Sequence, residues 1–266
     1  MPFIKHHLKV FQSLSIPWTW HIWEGIANNP FAPGSITAEL HRDSLSVDGT
    51  SQYLDDIVEH PNVRIIRCRH HWDAVYLTER FDRMLTSVEV SALRETIAWQ
   101  IDVDEYWTAD QIHKMVEMFQ QQPEKQAAWF HCRYFVGPHL ALKLRTPERE
   151  KSLLCWKRVW RHTPGLEYCK HDPPCVRGCD GVDIFYKNAF THEETAAAGL
   201  IFNHYAYVTP AQLRFKEQRY GFKGAYEDWR RLNSCCIFPT KLRQYISWLE
   251  DDIVEIAPAE HWFTEE

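Results

Sequence analysis

No run of 18 apolar residues occurs in the 266-residue chain, so the sequence offers no candidate for a membrane-spanning helix. Basic excess is missing too: 30 Lys and Arg face 36 Asp and Glu, for a formal net charge of −6, and the cations are scattered rather than striped. Nucleic acid is therefore not expected as a partner. There is no Gly-rich phosphate loop of the P-loop kind, which argues against an NTPase. Cys169, His171, Cys175 and Cys179 invite a zinc reading, but no second C-x-x-C pair completes it, and Pro173-Pro174 stiffens the chain between them. The eight cysteines are irregularly spaced in a chain too large to need disulfide staples, so reduced thiols are expected. Met1-Pro2-Phe3-Ile4-Lys5-His6-His7 does not read as a secretory signal. A soluble, cytoplasmic protein is expected, with peripheral attachment to a membrane through a partner left open. No linker-like stretch divides the chain, which reads as one α/β domain with a C-terminal extension.

What the chain does have is tryptophan, twelve residues of it, within 14% aromatic and 45% hydrophobic content. Most of these rings are expected in the core, and exposed ones suit stacking on sugars. Ile4, Leu8, Phe11 and Leu14, spaced by four and three, predict an amphipathic helix over 4–14. Residues 18–23 read as a strand ending at Glu24-Gly25, 51–59 as a short helix, and 63–68 as a second strand. Residues 73–96 read as mostly helical, with Val75, Leu77, Phe81, Met84, Leu85 and Val88 as the apolar face. A third strand covers 96–102, and Thr108 with Gln111 forms a capping box for a helix to Gln122. This alternation predicts a parallel sheet, with ligands beyond the carboxyl ends of its strands. After residue 127 it fades into strands at 128–136, 152–161 and 199–208 and a helix at 210–220. Trp156, Arg158 and Trp160 alternate on one strand face, which suits a sugar platform or ordinary core, and core is the preferred reading.

The stretch Trp99-Gln100-Ile101-Asp102-Val103-Asp104-Glu105-Tyr106-Trp107 is the most telling, because an apolar run breaks into three carboxylates without a turn residue. At the period of a strand, Asp102 and Asp104 leave on the same face and can share one hard cation. Oxygen ligation suits Mg²⁺ or Mn²⁺ completed by substrate phosphates, which implies a nucleotide-diphosphate ligand. Glu24, at the end of another strand, is expected in the same crevice.

Together, Trp20-His21-Ile22-Trp23-Glu24-Gly25, Ser46-Val47-Asp48-Gly49-Thr50-Ser51-Gln52-Tyr53-Leu54 and the acidic stretch resemble the nucleotide-sugar-dependent glycosyltransferases of the GT-A fold, in particular family-2-like members. The resemblance covers roughly residues 3–136. It implies a GT-A-like, Rossmann-type, mostly parallel sheet flanked by helices, with a β-rich irregular C-terminal half. Residues 1–136 would be the nucleotide-sugar-binding half and 137–266 the acceptor-binding half. The family opens with a strand before the first helix and this chain starts where that strand would end, so either the start is truncated or another strand fills its place.

The resemblance also implies roles. Glu24 would contact the donor base or ribose, Asp73 likewise, Asp102 the ribose and diphosphate, and Asp104 the Mn²⁺ or Mg²⁺ ion. His204 is favoured over His171 as the further metal ligand, and Lys216 and Arg219 would neutralise the departing diphosphate. For an inverting transfer, Asp172 is favoured over Glu193 and Glu194 as the base. The expected activity moves a sugar from a nucleotide-diphosphate sugar donor to a carbohydrate, lipid-linked or small-molecule acceptor. Metal-dependent phosphoryl or nucleotidyl transfer is a second reading of the paired acids, and a catalytically inactive carbohydrate-binding protein a third.

Overall fold

The computed structural model describes residues 3–27, 41–43, 45–72, 74–87, 96–143, 155–245 and 255–260. Helix α1 (Ile4–Gln12) leads to strand β1 (Trp20–Ala27), the short strands β2 (His41–Arg42) and β3 (Leu45–Ser46), α2 (Thr50–Ile57), β4 (Val63–Trp72) and α3 (Ala74–Leu85). There follow β5 (Thr96–Trp99), β6 (Glu105–Tyr106), α4 (Ala109–Gln121), β7 (Ala127–Gly137), β8 (Leu140–Leu142), β9 (Cys155–His162), β10 (Glu167–Lys170) and β11 (Cys175–Arg177). The chain continues through β12 (Ala189–Phe190), α5 (His192–Ala197), β13 (Phe202–His204), α6 (Pro210–Tyr220), α7 (Ala225–Asn233), β14 (Thr240–Lys241) and β15 (Glu255–Pro258).

Strand pairing corrects the expected Rossmann-type, mostly parallel sheet. β1, α2 and β4 do form a parallel βαβ unit, with Trp20 opposite Val63 and Glu24 opposite Arg67, but this pair stands as a two-stranded sheet of its own. The large sheet has nine strands. Six of its eight described pairings are antiparallel, and only those of β12 and β13 with β7 are parallel. β5 explains the difference. Expected as the next parallel neighbour of β4, it pairs antiparallel with β9 instead, Ala98 opposite Trp160. The spine is β7, whose first half pairs with β9 and β12 and whose second half pairs with β8 and β13. Strands from the second half thus supply most neighbours, and the short connection between β7 and β8 makes that pair antiparallel.

Local predictions fared according to how much chemistry marked them. α4 begins at Thr108 with the capping box closed in both directions, Gln111 N–H donating to Thr108 Oγ1 and Thr108 N–H to Gln111 Oε1. Its Ile112, Met115, Met118 and Phe119 are buried in the main core beside Phe130, Cys132 and Val136 of β7. Trp107 is stacked on Phe202 at 4.5 Å between ring centres and packs edge-on to Trp99 and Phe130, so these aromatics are core. By contrast, Val75 is 66% exposed and does not belong to the buried face of α3, while the strand expected over 199–208 is reduced to Phe202–His204. All eight cysteines are free thiols. No helix among the described residues is long and apolar enough to cross a membrane.

Candidate functional site at the acidic turn

β5 ends at Trp99, so the acids are not carried on a strand end. Residues 102–105 form a turn closed by Glu105 N–H donating to Asp102 O at 3.0 Å. Asp102 and Asp104 therefore do not share a strand face, since the period of two holds only in extended chain. The turn sends Asp102 and Glu105 to Arg158 and Asp104 to His204.

Glu105, the first residue of β6, is fully buried and meets Arg158 from β9. Arg158 Nε donates to both Glu105 oxygens at 2.9 Å and Nη2 to Oε1 at 2.6 Å, while Nη2 also donates to Asp102 Oδ2 at 3.0 Å. Burial pushes the Glu105 carboxyl up to about 8 against the pull of Arg158. Burial works against the Arg158 charge as well, but Glu105 and Asp102 outweigh it and hold the guanidinium protonated. Arg158 is only 1% exposed, so this is a core residue in position and a clamp on the acidic turn in effect.

Asp104 faces His204. β13 pairs with both β6 and β7, which sets His204 opposite Glu105, and Tyr205 N–H donates to Asp104 O at 2.8 Å. His204 Nε2 stands 3.6 Å from Asp104 Oδ1, beyond hydrogen-bond length. Its Nδ1 is buried without a hydrogen-bond partner, 4.0 Å from Glu105 Oε1. The rings of Tyr134 and Trp156 confine the imidazole at 4.9 and 5.1 Å. Burial lowers the His204 pKa from 6.5, with Asp104 and Asp102 opposing, so the ring is neutral at neutral pH. A neutral imidazole and a carboxylate that face each other without bonding are a fitting donor pair for one divalent cation. Two protein ligands suit Mn²⁺ or Mg²⁺, which keep waters and take phosphate oxygens.

The turn is held from α1. His7 Nε2–H donates to Val103 O at 2.9 Å and His6 Nε2–H to Trp107 O at 3.3 Å, with the His6 ring stacked on Tyr106. Burial lowers the His7 pKa to about 4, so it donates as a neutral ring. From the other side, Tyr168 O–H donates to Gln100 Oε1 at 2.8 Å and lies 3.0 Å from His171 Nδ1, while Gln100 Nε2 donates to His171 O at 3.2 Å. These bonds tie the segment after β10 to the end of β5. Asp172, on that segment, is exposed, and its charge acts on both Arg158 and His171. Lys216 on α6 sits over the Tyr207 ring at 4.6 Å, and its charge reaches His204.

Asp102, Asp104, His204, Asp172 and Lys216 thus gather on one side of the molecule. Glu24 serves another purpose. It lies within β1 rather than at its end, and its oxygens accept from Arg67 Nε at 3.0 Å, Ser46 N–H at 3.3 Å and the Ser51 hydroxyl, tying β1 to β3, α2 and β4. Those bonds leave it poorly disposed to receive a donor base. Glu194 closes the capping box of α5 and pairs with Lys125, and Glu193 pairs with His192. Asp73 and the Arg219 side chain lie outside the described residues. The zinc set Cys169, His171, Cys175 and Cys179 does not assemble; among the described residues three ligand atoms converge only at His131, Cys155 and His192.

Sequence reasoning placed Arg158 in the core without its ionic role, and it missed His7 and Tyr168. Arg158 alone carried a signal, as a lone charge on an apolar strand face. An open groove of about 560 Å³ between α1 and α2, lined by Lys5, Lys9, Gln52, Tyr53 and Asp56 among others, includes no residue of the acidic turn. Compared with known proteins, the chain matches no family model and no curated protein.

Proposed function

We propose that the chain is a metal-dependent glycosyltransferase that moves a sugar from a nucleotide-diphosphate donor to a carbohydrate or lipid-linked acceptor. The observation that carries this reading is the buried, neutral His204 facing Asp104 at 3.6 Å with its Nδ1 left unbonded. Asp104 and His204 would hold the Mn²⁺ or Mg²⁺ ion, which when bound supplies Lewis acidity to the leaving diphosphate. Asp102, fixed by Arg158, offers its remaining lone pairs to ribose hydroxyls. Lys216 adds positive charge on the His204 side, where a departing diphosphate needs it. Asp172, exposed beside this group, is the candidate to take the acceptor hydroxyl proton in an inverting transfer.

One arrangement favours sugar transfer over two-metal phosphoryl or nucleotidyl chemistry. A second ion about 4 Å from the first needs further free carboxylates. Glu105 is spent on Arg158, and Asp102 shares the same guanidinium. Incubation with UDP- and GDP-sugars and Mn²⁺ tests the proposal. Slow release of the nucleotide diphosphate, lost in Asp104→Asn and slowed in Asp172→Asn, is expected. Release of inorganic phosphate or pyrophosphate instead would support the phosphoryl-transfer reading, and binding without turnover the carbohydrate-binding one.

A further inference from the structure

The opposite face of the large sheet carries a second cluster. His131 and Cys155 are directly opposed in the β7–β9 ladder, so their side chains leave the same face. Their sequence neighbours Cys132 and Trp156 leave the other face, where the Trp156 indole N–H meets Cys132 Sγ and the Trp156 ring borders His204. The His131 cluster is therefore separated from the acidic turn by the thickness of the sheet.

His192 reaches this face as the first residue of α5, whose start is fixed by the Thr191 capping box and whose Thr195 hydroxyl donates to Trp129 O at 2.7 Å. The His131 and His192 rings lie 4.5 Å apart at 77°, and one donor atom from each of His131, Cys155 and His192 falls within 4.8 Å of the other two. Cys155 Sγ and His131 Nδ1 are 3.5 Å apart. Two ligands of one tetrahedral zinc ion, with Zn–S about 2.3 Å and Zn–N about 2.05 Å, stand about 3.6 Å apart. His192 Nε2 is held by Glu193 Oε1 at 2.7 Å, which repeats the carboxylate–imidazole pairing that orients zinc-bound histidines and would give Nδ1 to the metal.

We infer that His131, Cys155 and His192 form a Zn²⁺ site on the back of the sheet, with Glu193 orienting His192 and a water in the fourth position. Thiolate and imidazole donors select zinc over Mg²⁺ and Mn²⁺, the reverse of the preference at Asp104 and His204. The thiolate and the Glu193 carboxylate together balance the charge of the ion. All three ligands are half-buried, so the water position is open to exchange.

Chelator-stripped full-length protein titrated with Co²⁺ as the optical stand-in tests this. One equivalent is expected to produce a thiolate-to-Co²⁺ charge-transfer band with intense tetrahedral d–d absorption. One equivalent of Zn²⁺ should bleach it, and a hundredfold excess of Mg²⁺ should not. The band should vanish in Cys155→Ser and weaken at least tenfold in His192→Gln, a substitution at a half-buried helix start that leaves the sheet intact. It should persist in Asp104→Asn, so its failure is independent of the fate of the transferase reading. A band that survives Cys155→Ser, or Co²⁺ bound with only weak octahedral absorption, would overturn the assignment.

Discussion

Arg158 brings one positive charge into a place where a fully buried carboxylate and the edge of a second one converge, and the rest of the acidic turn depends on that meeting. Removing one partner of such a pair strands the other, which typically costs about 3–5 kcal/mol. Arg158→Ala is expected to lose about that much in urea unfolding at about pH 9, where Glu105 is ionised. The loss should shrink as pH falls through about 8, because Glu105, whose carboxyl burial pushes up to about that value, then takes a proton and sheds its charge. Glu105→Gln placed in the same background should recover part of the loss; an equal cost with and without it would show that packing, not charge, is at stake. His7 gives a second prediction of definite sign. Its folded pKa of about 4 lies below its ordinary 6.5, so between these values the unfolded chain binds more protons and stability rises with pH. That contribution is complete above about pH 6.5 and lost as pH falls through about 4. Burial lowers His6, His162, His171 and His204 in the same direction. Glu105 acts in the opposite sense across its own window, so the informative quantity is the difference made by one residue. His7→Gln should flatten the fall in Tm between about pH 7 and pH 4.5, and an unchanged slope would show that His7 is not held neutral.

At the level of elements, legibility followed local chemistry. The α4 boundary was readable because Thr108 and Gln111 make a bond that needs no tertiary partner. Thr108→Ala should lower stability by about 1 kcal/mol in thermal melts, and it should leave metal binding unchanged because the cap does not touch Asp104 or His204. The helix of α1 and the βαβ unit were equally readable, since periodicity and turn spacing are local signals. What could not be read was which strand lies beside which. β5 looks the same in sequence whether its neighbour is β4 or β9, and only the packing of Ala98 against Trp160 and of Arg158 under Glu105 decides. The acidic turn failed for a related reason. Nothing in Asp102-Val103-Asp104-Glu105 announces that the strand stops at Trp99, because the turn is imposed from outside, by His7 on Val103 and by Arg158 on Asp102 and Glu105. Residue types suited to a cation site were visible; the direction each acid takes was not.

For the whole molecule, the nine-stranded, mostly antiparallel sheet separates two chemistries of different hardness. Oxygen and imidazole donors meet at the acidic turn, and a cysteine sulfur with two imidazoles meets on the back face. The front site draws on β5–β6, β9, β13, α6 and the segment after β10, so it forms only when these distant parts of the chain are brought together. The central claim is that Asp104 and His204 are a ligand pair for a divalent cation shared with a nucleotide diphosphate. It is tested most directly by thermal unfolding with Mn²⁺, with UDP or GDP, and with both together, in the parent and in Asp104→Asn. A stabilisation by the pair of ligands that exceeds the sum of each alone, and that disappears in Asp104→Asn, is predicted. No added stabilisation with any nucleotide diphosphate, or an undiminished one in the variant, would contradict it.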